Sequence, residues 1–443
     1  MTPNWKSVRE ETTKYLQDLI RIDTTNPPGN EIQAAEYLAG VFKREGITPT
    51  VLESAPGRGN IVARIKGDGR AAPLLLMAHI DVVPVEADKW QHPPFGGDIA
   101  DGFLWGRGTL DTKELVAMEL MLMLLLKREG KSLARDIIFM ANADEEAGGR
   151  MGAGWMVEHH RDLIQAEYAI NEGGGMSFDV LGKRFFTVQT GEKGTARFVM
   201  RARGRPGHAA QPHSDNAVVK LADAIQKIGA AEFPLHVTKT VHDFFQGIAD
   251  NVDQKYRPGI LALLDAKTHR DAIKGFDDGL RPMVNAMLHN TVTPTMLDAG
   301  TKINVIPSVA EAQCDTRLIP GQSKDDFLRE LRAVIGENME IEIADNYRMG
   351  RESDHHTPLF DTITRVLGRH EPKSPVLPYL ATGATDARWV TQLGTTVYGF
   401  CPMIVSPSES GRMHAHNERI SIDNLEFGTR VLYEVVTEFA TKI

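Results

Sequence analysis

Cysteine is almost missing from this chain. Only Cys314 and Cys401 occur in 443 residues, with no C-x-x-C pair, so neither a disulfide framework nor a thiolate zinc site is expected. Long hydrophobic runs are missing too. The longest, Leu115 to Leu126, is broken by Glu119; it is too short to span a bilayer and predicts a buried helix. No basic cluster offsets the net charge of −9. The surface therefore repels nucleic acid and anionic lipid, and neither nucleic acid nor membrane is an expected partner. The opening segment "MTPNWKSVREETTKYLQDLIRI" carries apolar residues at helical spacing but no signal-peptide core, which sets a cytoplasmic expectation. There is no G-x-S-x-G elbow, and "WGRGTL" lacks the third glycine of a dinucleotide fingerprint. Internal repeats and low-complexity linkers are absent.

What is present is an ordinary globular composition, 42% hydrophobic and 25% charged, with length for two or three domains. Segments of helical spacing, Glu31–Glu45, Leu115–Lys127 and Gly154–His160, alternate with strand-like runs. "NIVARIKG" (60–67) alternates in polarity, whereas "PLLLMAHID" (73–81) and "DIIFMANA" (136–143) are continuously apolar, as strands buried on both faces are. "AEYAIN" (166–171) adds a further strand. This order predicts an α/β layered domain. Near residue 194 the character changes. "TARFVMRARG" (195–204) alternates strictly, Ala217–Ala230 and Lys324–Gly336 are helical, and "TKINVIPSVAEAQCDTRLIP" (301–320) reads as two strands around a Pro-Ser turn. Residues 231–285 are long, polar and mixed. The pattern predicts a smaller α+β domain, 195–345, inserted into a discontinuous one formed by 1–194 and 346–443. The returning part carries a helix at 359–369, the loop "ATGATDARW", the strand "TTVYGF" (395–400) and a last helix from Ile422.

In open α/β sheets, ligands bind beyond the carboxyl ends of the strands. His79 and Asp81 follow the first buried strand; Asp144, Glu145 and Glu146 follow the second; Glu172 follows "AEYAIN". Asp111 precedes the Leu115 helix, and the C-terminal part supplies "MHAHNE" (413–418). Polar strand ends are commonplace as helix caps and loop acids. Histidine and carboxylates gathered at several strand ends on one edge instead predict a cation site.

In chain order, "AHIDVVP" (78–84), "GRGTLDTK" (106–113), "DEEAGG" (144–149), "NEGG" (171–174), "GRPGHAAQPH" (204–213), "NVIP" (304–307), "TGATDAR" (382–388) and "HAHNE" (414–418) resemble the M20 family of di-zinc metallopeptidases and amidohydrolases. That family includes carboxypeptidase S, aminoacylases, acetylornithine deacetylase and succinyl-diaminopimelate desuccinylase. The likeness runs from about residue 10 to 435. It implies a zinc-hydrolase catalytic domain with a mixed central sheet and an inserted lid or dimerisation domain. It implies two Zn²⁺ per subunit, with Co²⁺ or Mn²⁺ as substitutes, bridged by Asp111 and a water or hydroxide. His79 and Glu172 would bind one ion, Glu146 and His414 the other. The spacing H-x-x-N-E selects His414 over His416. The bond after the bridging aspartate, Asp111–Thr112, would be cis. His208 would polarise the scissile carbonyl, often in the partner subunit's site, although by itself it reads as a turn histidine beside Gly207. Asn304 would lie near the carbonyl and Arg317 near the substrate carboxylate, with Gly383 and Thr385 as further donors. Ala78 stands where the family often has glycine.

Elementary chemistry is compatible with these roles. Imidazole and carboxylate are good zinc ligands. Asp81, two residues from His79 on an extended chain, can accept the ring's other N–H, or alternatively cap a helix. Adjacent residues in an extended segment point to opposite sides, so Glu146 would face metal and Glu145 substrate, with Glu145 carrying a proton from water to the leaving nitrogen. Asp144 is read as structural, either a turn residue or one that supports the ligands from behind. A guanidinium fork at Arg317 suits a carboxylate, or an ion pair with Asp315 or Glu311. The expected activity is hydrolysis of the amide bond of a small peptide, releasing its C-terminal residue, or of an N-acyl amino acid with a free carboxylate. A deacylase of a biosynthetic intermediate and a non-catalytic binding relative are the alternatives.

Overall fold

The computed structural model describes residues 3–276, 279–344 and 347–441; the expected junction at 345/346 lies outside them. The chain forms two compact units. The first comprises Met1–Thr190, Ser353–Pro378 and Thr385–Ile443, the second Gly191–Glu352 and Tyr379–Ala384.

The first unit is built on a mixed sheet. Its strands run in the order Pro49–Glu53, Gly59–Ile65, Ile137–Asn142, Leu74–His79, Tyr168–Asn171, Thr396–Gly399 and Lys183–Glu192. The four central ones, Ile137–Asn142 to Thr396–Gly399, are parallel, so their carboxyl ends share one edge. Strict alternation of side chains divides each central strand between two cores. Leu74, Leu76 and Ala78 join the core that contains helices Trp5–Ile20, Lys113–Glu129 and Ile422–Thr441. Leu75 and Met77 join the opposite core, with Met156, Val157 and Val390. Burial on both faces is why these strands read as continuous apolar runs. In helix Lys113–Glu129 every residue from Lys113 to Leu126 is buried, as expected for the run around Glu119. No helix is long and apolar enough to cross a membrane among the described residues.

The second unit carries an antiparallel sheet. Val309–Leu318 pairs with Gly194–Thr195, Phe198–Arg203 and Thr291–Ala299, and Phe198–Arg203 also pairs with Glu340–Ile343. Phe198, Met200 and Ala202 face a core completed by helices Ala217–Ala230 and Lys324–Ile335. On the other face Arg201 and Arg203 pair with Glu311 and Glu340. Two details differ from the sequence reading. Val305–Ile306 does not pair across the Pro-Ser turn with Val309–Leu318; it pairs with Gly207–His208. The stretch 231–285 is mainly helical, at Lys239–Asn251, Arg257–Leu261, His269–Ile273 and Arg281–Leu288.

Candidate active site

Register places the site. His79, the last residue of its strand, lies opposite Asn142, and Leu76 lies opposite Ile170. The residues following Asn142 and Asn171 therefore emerge beside His79. The peptide bond Asp111–Thr112 is cis, and Thr112 immediately precedes helix Lys113–Glu129. His414 sits in a loop with φ of +59°. That loop is tied to the Asp111 loop by Glu418, a residue given no role from sequence. Its carboxylate accepts from Arg107 Nη1 at 2.6 Å, Leu110 N at 2.7 Å and Gly108 N at 3.1 Å. Arg107 also donates to the His414 carbonyl oxygen at 3.3 Å.

Asp111 lies between two histidines. Its Oδ1 is 3.0 Å from His79 Nε2 and its Oδ2 is 2.9 Å from His414 Nε2. Glu172 Oε2 lies 3.6 Å from His79 Nε2, and Glu146 Oε1 lies 3.1 Å from His414 Nε2. Donor atoms of His79, Glu145 and Glu172 fall within 4.8 Å of one another, as do those of His79, Asp111 and Glu146. His416 is elsewhere, with Nε2 3.3 Å from Glu86.

The electrostatics are those of crowded acids. Burial pushes Glu145 well above the carboxylate range, and the Glu172 charge adds to it. Burial likewise raises Glu172. At His79 burial opposes the imidazolium, but Glu172 and Asp111 outweigh it and the pKa rises well above normal. Hydrogen bonds to Asp111 and Glu146 raise His414 to about 10. Four acids and two imidazoles with convergent lone pairs either take up protons or share cations. The donor set, nitrogen and oxygen only, fits divalent metal of the zinc type.

The turn that carries the acids is not extended. Asp144 takes a left-handed φ of +73°, and Glu145–Ala147 forms one 3-10 turn. Glu145 and Glu146 thus part by turning about a helical axis, not by strand alternation. Asp81 fixes this turn: its Oδ1 and Oδ2 accept from the Glu145 and Glu146 amides at 3.1 and 3.2 Å. The His79 ring is held mainly by the Asp81 main chain. Nδ1 lies 3.0 Å from the Asp81 carbonyl oxygen and 3.4 Å from its Oδ1.

The remaining predicted residues have these settings. Thr385 Oγ1, in the first unit, accepts from Asn171 Nδ2 at 3.1 Å and Ala387 N at 3.2 Å. In the second unit His208 is exposed, and its Nδ1 accepts from Ala210 N at 3.1 Å; in the neutral ring this puts the proton on Nε2 as an available donor. Asn304 is exposed. Arg317 Nε is 2.8 Å from Asp315 Oδ1, the ion-pair arrangement. A Cβ added at Gly383 would meet open space.

A layered α/β unit with a His and carboxylate cluster at its strand ends defines a metal-dependent class of hydrolase. Residues 75–438 match the family model described as Peptidase family M20/M25/M40. An N-fatty-acyl-amino acid synthase/hydrolase PM20D1 of Xenopus tropicalis is 27% identical over 94% of this chain and 84% of its own. A probable carboxypeptidase S-like 2 of Dictyostelium discoideum is 30% identical over 82% of this chain and 71% of its own. Among solved structures, the M20 family metallo-carboxypeptidase Sso-CP2 of Sulfolobus solfataricus superposes with a TM-score of 0.71 at 20% identity, covering 97% of this chain and 99% of that one. The chain belongs to peptidase family M20/M25/M40, and it is a hydrolytic enzyme that cleaves an amide bond.

Proposed function

We propose that this chain is a dinuclear zinc enzyme acting on N-acyl amino acids or small peptides whose C-terminal half carries a free α-carboxylate. The observation that carries the metal assignment is Asp111, which presents one carboxylate oxygen to each of two histidines. His79 and Glu172 would hold one cation, Glu146 and His414 the other, with Asp111 shared. Bound there, the cations would supply Lewis-acid polarisation and lower the pKa of water.

The protein's own groups do the rest. Glu145 takes a proton from the attacking water and delivers it to the leaving nitrogen, a task suited to a carboxyl whose burial lifts its pKa. Asp81, bonded to two amides of the 3-10 turn, keeps Glu145 and Glu146 in place. His208 supplies an N–H to the developing oxyanion, in its own subunit or in a partner's. Asn304 supports the carbonyl; Arg317, Gly383 and Thr385 receive the substrate carboxylate. For Arg317 this means exchanging or sharing its Asp315 partner. The names of the relatives, an N-fatty-acyl-amino acid hydrolase and a carboxypeptidase S-like protein, support this substrate class.

A homodimer through the second unit is part of the proposal. Strand Thr291–Ala299 pairs with a single strand among the described residues, and Met296 and Leu297 on it are 60% and 67% exposed. An exposed apolar edge of this kind is a template for pairing.

Dipeptides set against N-acetyl, N-succinyl and long-chain N-acyl amino acids test the substrate class, with chelation and restoration by Zn²⁺, Co²⁺ or Mn²⁺ in parallel. Turnover of carboxylate-bearing amides only, lost to chelator, is expected. Full activity in protein holding only trace divalent metal would overturn the metal assignment.

A further inference from the structure

Asp144, Glu145 and Glu146 are three consecutive acids, and cations held by Glu146 and its neighbours leave the first unexplained. Its partner is Arg58. Arg58 Nη2 lies 2.9 Å from Asp144 Oδ1. The same guanidinium grips Glu31 by two bonds, Nε to Oε2 at 2.9 Å and Nη2 to Oε1 at 2.7 Å. All three side chains are largely removed from water, at 13%, 0% and 7% exposure for Arg58, Glu31 and Asp144. Asn26 Nδ2 extends the network. It donates to Asp144 Oδ1 at 3.3 Å and to Asp81 Oδ2 at 2.8 Å, and Asp81 in turn holds the Glu145 and Glu146 amides. The other Asp144 oxygen accepts from Met151 N at 2.9 Å.

The arrangement has a built seat. A Cβ at Gly29 would fall 2.5 Å from Arg58 Nε and 2.9 Å from Glu31 Oε2, and Gly29 has a φ of +84°. Glycine there leaves room for the guanidinium. Asp144 is a non-glycine residue in left-handed backbone, a conformation kept only where the surroundings enforce it. The fork on Glu31 fixes the guanidinium, and its charge-assisted Nη2 bond then holds Asp144.

We infer that Arg58 is a positioning residue for the reaction: through Asp144 it fixes the turn that aims Glu145 and Glu146. The inference rests on the reading of Glu145 as proton carrier and Glu146 as ligand. The Arg58 guanidinium bonds Glu31 and Asp144, neither of them a proposed metal ligand, so its loss acts on geometry. A displacement of an ångström at the reacting groups costs up to ~10² in rate.

The test compares Arg58→Ala, Asp144→Asn and the double variant in purified, metal-restored enzyme, reading kcat, KM, bound metal and melting temperature. Each single variant is expected to lose ~10–100-fold in kcat with KM within about twofold and metal content unchanged. The double variant should be no worse than the poorer single, because Arg58 acts on the turn through Asp144. Added guanidinium ion should recover turnover in Arg58→Ala but not in Asp144→Asn. A folded Arg58→Ala enzyme with native kcat overturns the inference, as do losses that multiply in the double variant or that follow metal loss in proportion. If Arg58→Ala does not fold, Arg58→Lys carries the test, since it keeps the charge and loses the fork. A kcat at least ~10-fold lower at native metal content supports positioning, and a near-native kcat overturns it. Glu145→Gln runs alongside. An active Glu145→Gln refutes the proton-carrier reading itself, whereas an inactive one beside a native Arg58→Ala confines the failure to Arg58.

Discussion

Glu145 and Glu146 share a turn and a charge, yet their surroundings differ. Glu146 meets His414 at 3.1 Å. Glu145 is bonded through its main chain to Asp81, and its carboxyl is raised by burial. Replacing Glu145 by Gln keeps size and polarity but removes the proposed proton carrier. Turnover should fall by at least ~10² while metal content stays full. Metal analysis and steady-state rates on the same preparation check this, and near-native turnover with full metal would refute the role. The sequence marks these positions as candidates because His79 ends a buried strand and Glu145, Glu146 and Glu172 come just after others. It does not mark Arg58, Asn26 and Glu31. Their partners lie 86, 55 and 27 residues away, and no periodicity links an arginine to a carboxylate that tertiary folding alone brings near.

At the scale of elements, continuous apolar runs announced the central strands, and the broken run around Glu119 announced a helix buried on all sides. Where burial is one-sided or short the signal fades. Thr291–Ala299 is mostly exposed, so its strand character had no alternating pattern to display. The sequence reads Glu145–Ala147 as extended because a single 3-10 turn is too short to show a period. Strand ends also bear on stability. Asp136, at the start of Ile137–Asn142, accepts from Gly67 N at 2.9 Å, Lys66 Nζ at 2.9 Å and Arg64 Nη1 at 3.2 Å. Burial opposes its ionisation, but the bonds from Lys66 and Gly67 outweigh burial and its pKa is lowered from 3.8. A lowered folded pKa gives stability that is present above the unfolded value and is lost as pH falls through the folded one. Asp136→Asn should therefore melt below the parent at neutral pH, with the gap closing on acidification. Paired thermal melts across that range decide it; a gap that stays constant into acid would contradict the argument.

At the scale of the molecule, the second unit is where the proposed oxyanion donor resides. His208→Ala should fold, keep its metal and lose ~10²–10³ in kcat, the loss of one such donor. Mixing it with Glu145→Gln asks how the donor is delivered. Recovered activity in mixed dimers means a partner supplies it; verified subunit exchange without recovery means each chain serves itself. Thr396–Gly399 sits between Tyr168–Asn171 and Lys183–Glu192 in the first unit's sheet, and His414 comes later still. A ribosome therefore delivers the whole segment 191–352 before it delivers the strand that completes the first unit. Domains fold as their sequence emerges, so the later-numbered unit is the one able to mature first. The strand edges beside the gap stay in need of shielding until Thr396–Gly399 has emerged. A chain cut before Thr396 would lack both the strand that joins Tyr168–Asn171 to Lys183–Glu192 and His414, the proposed ligand.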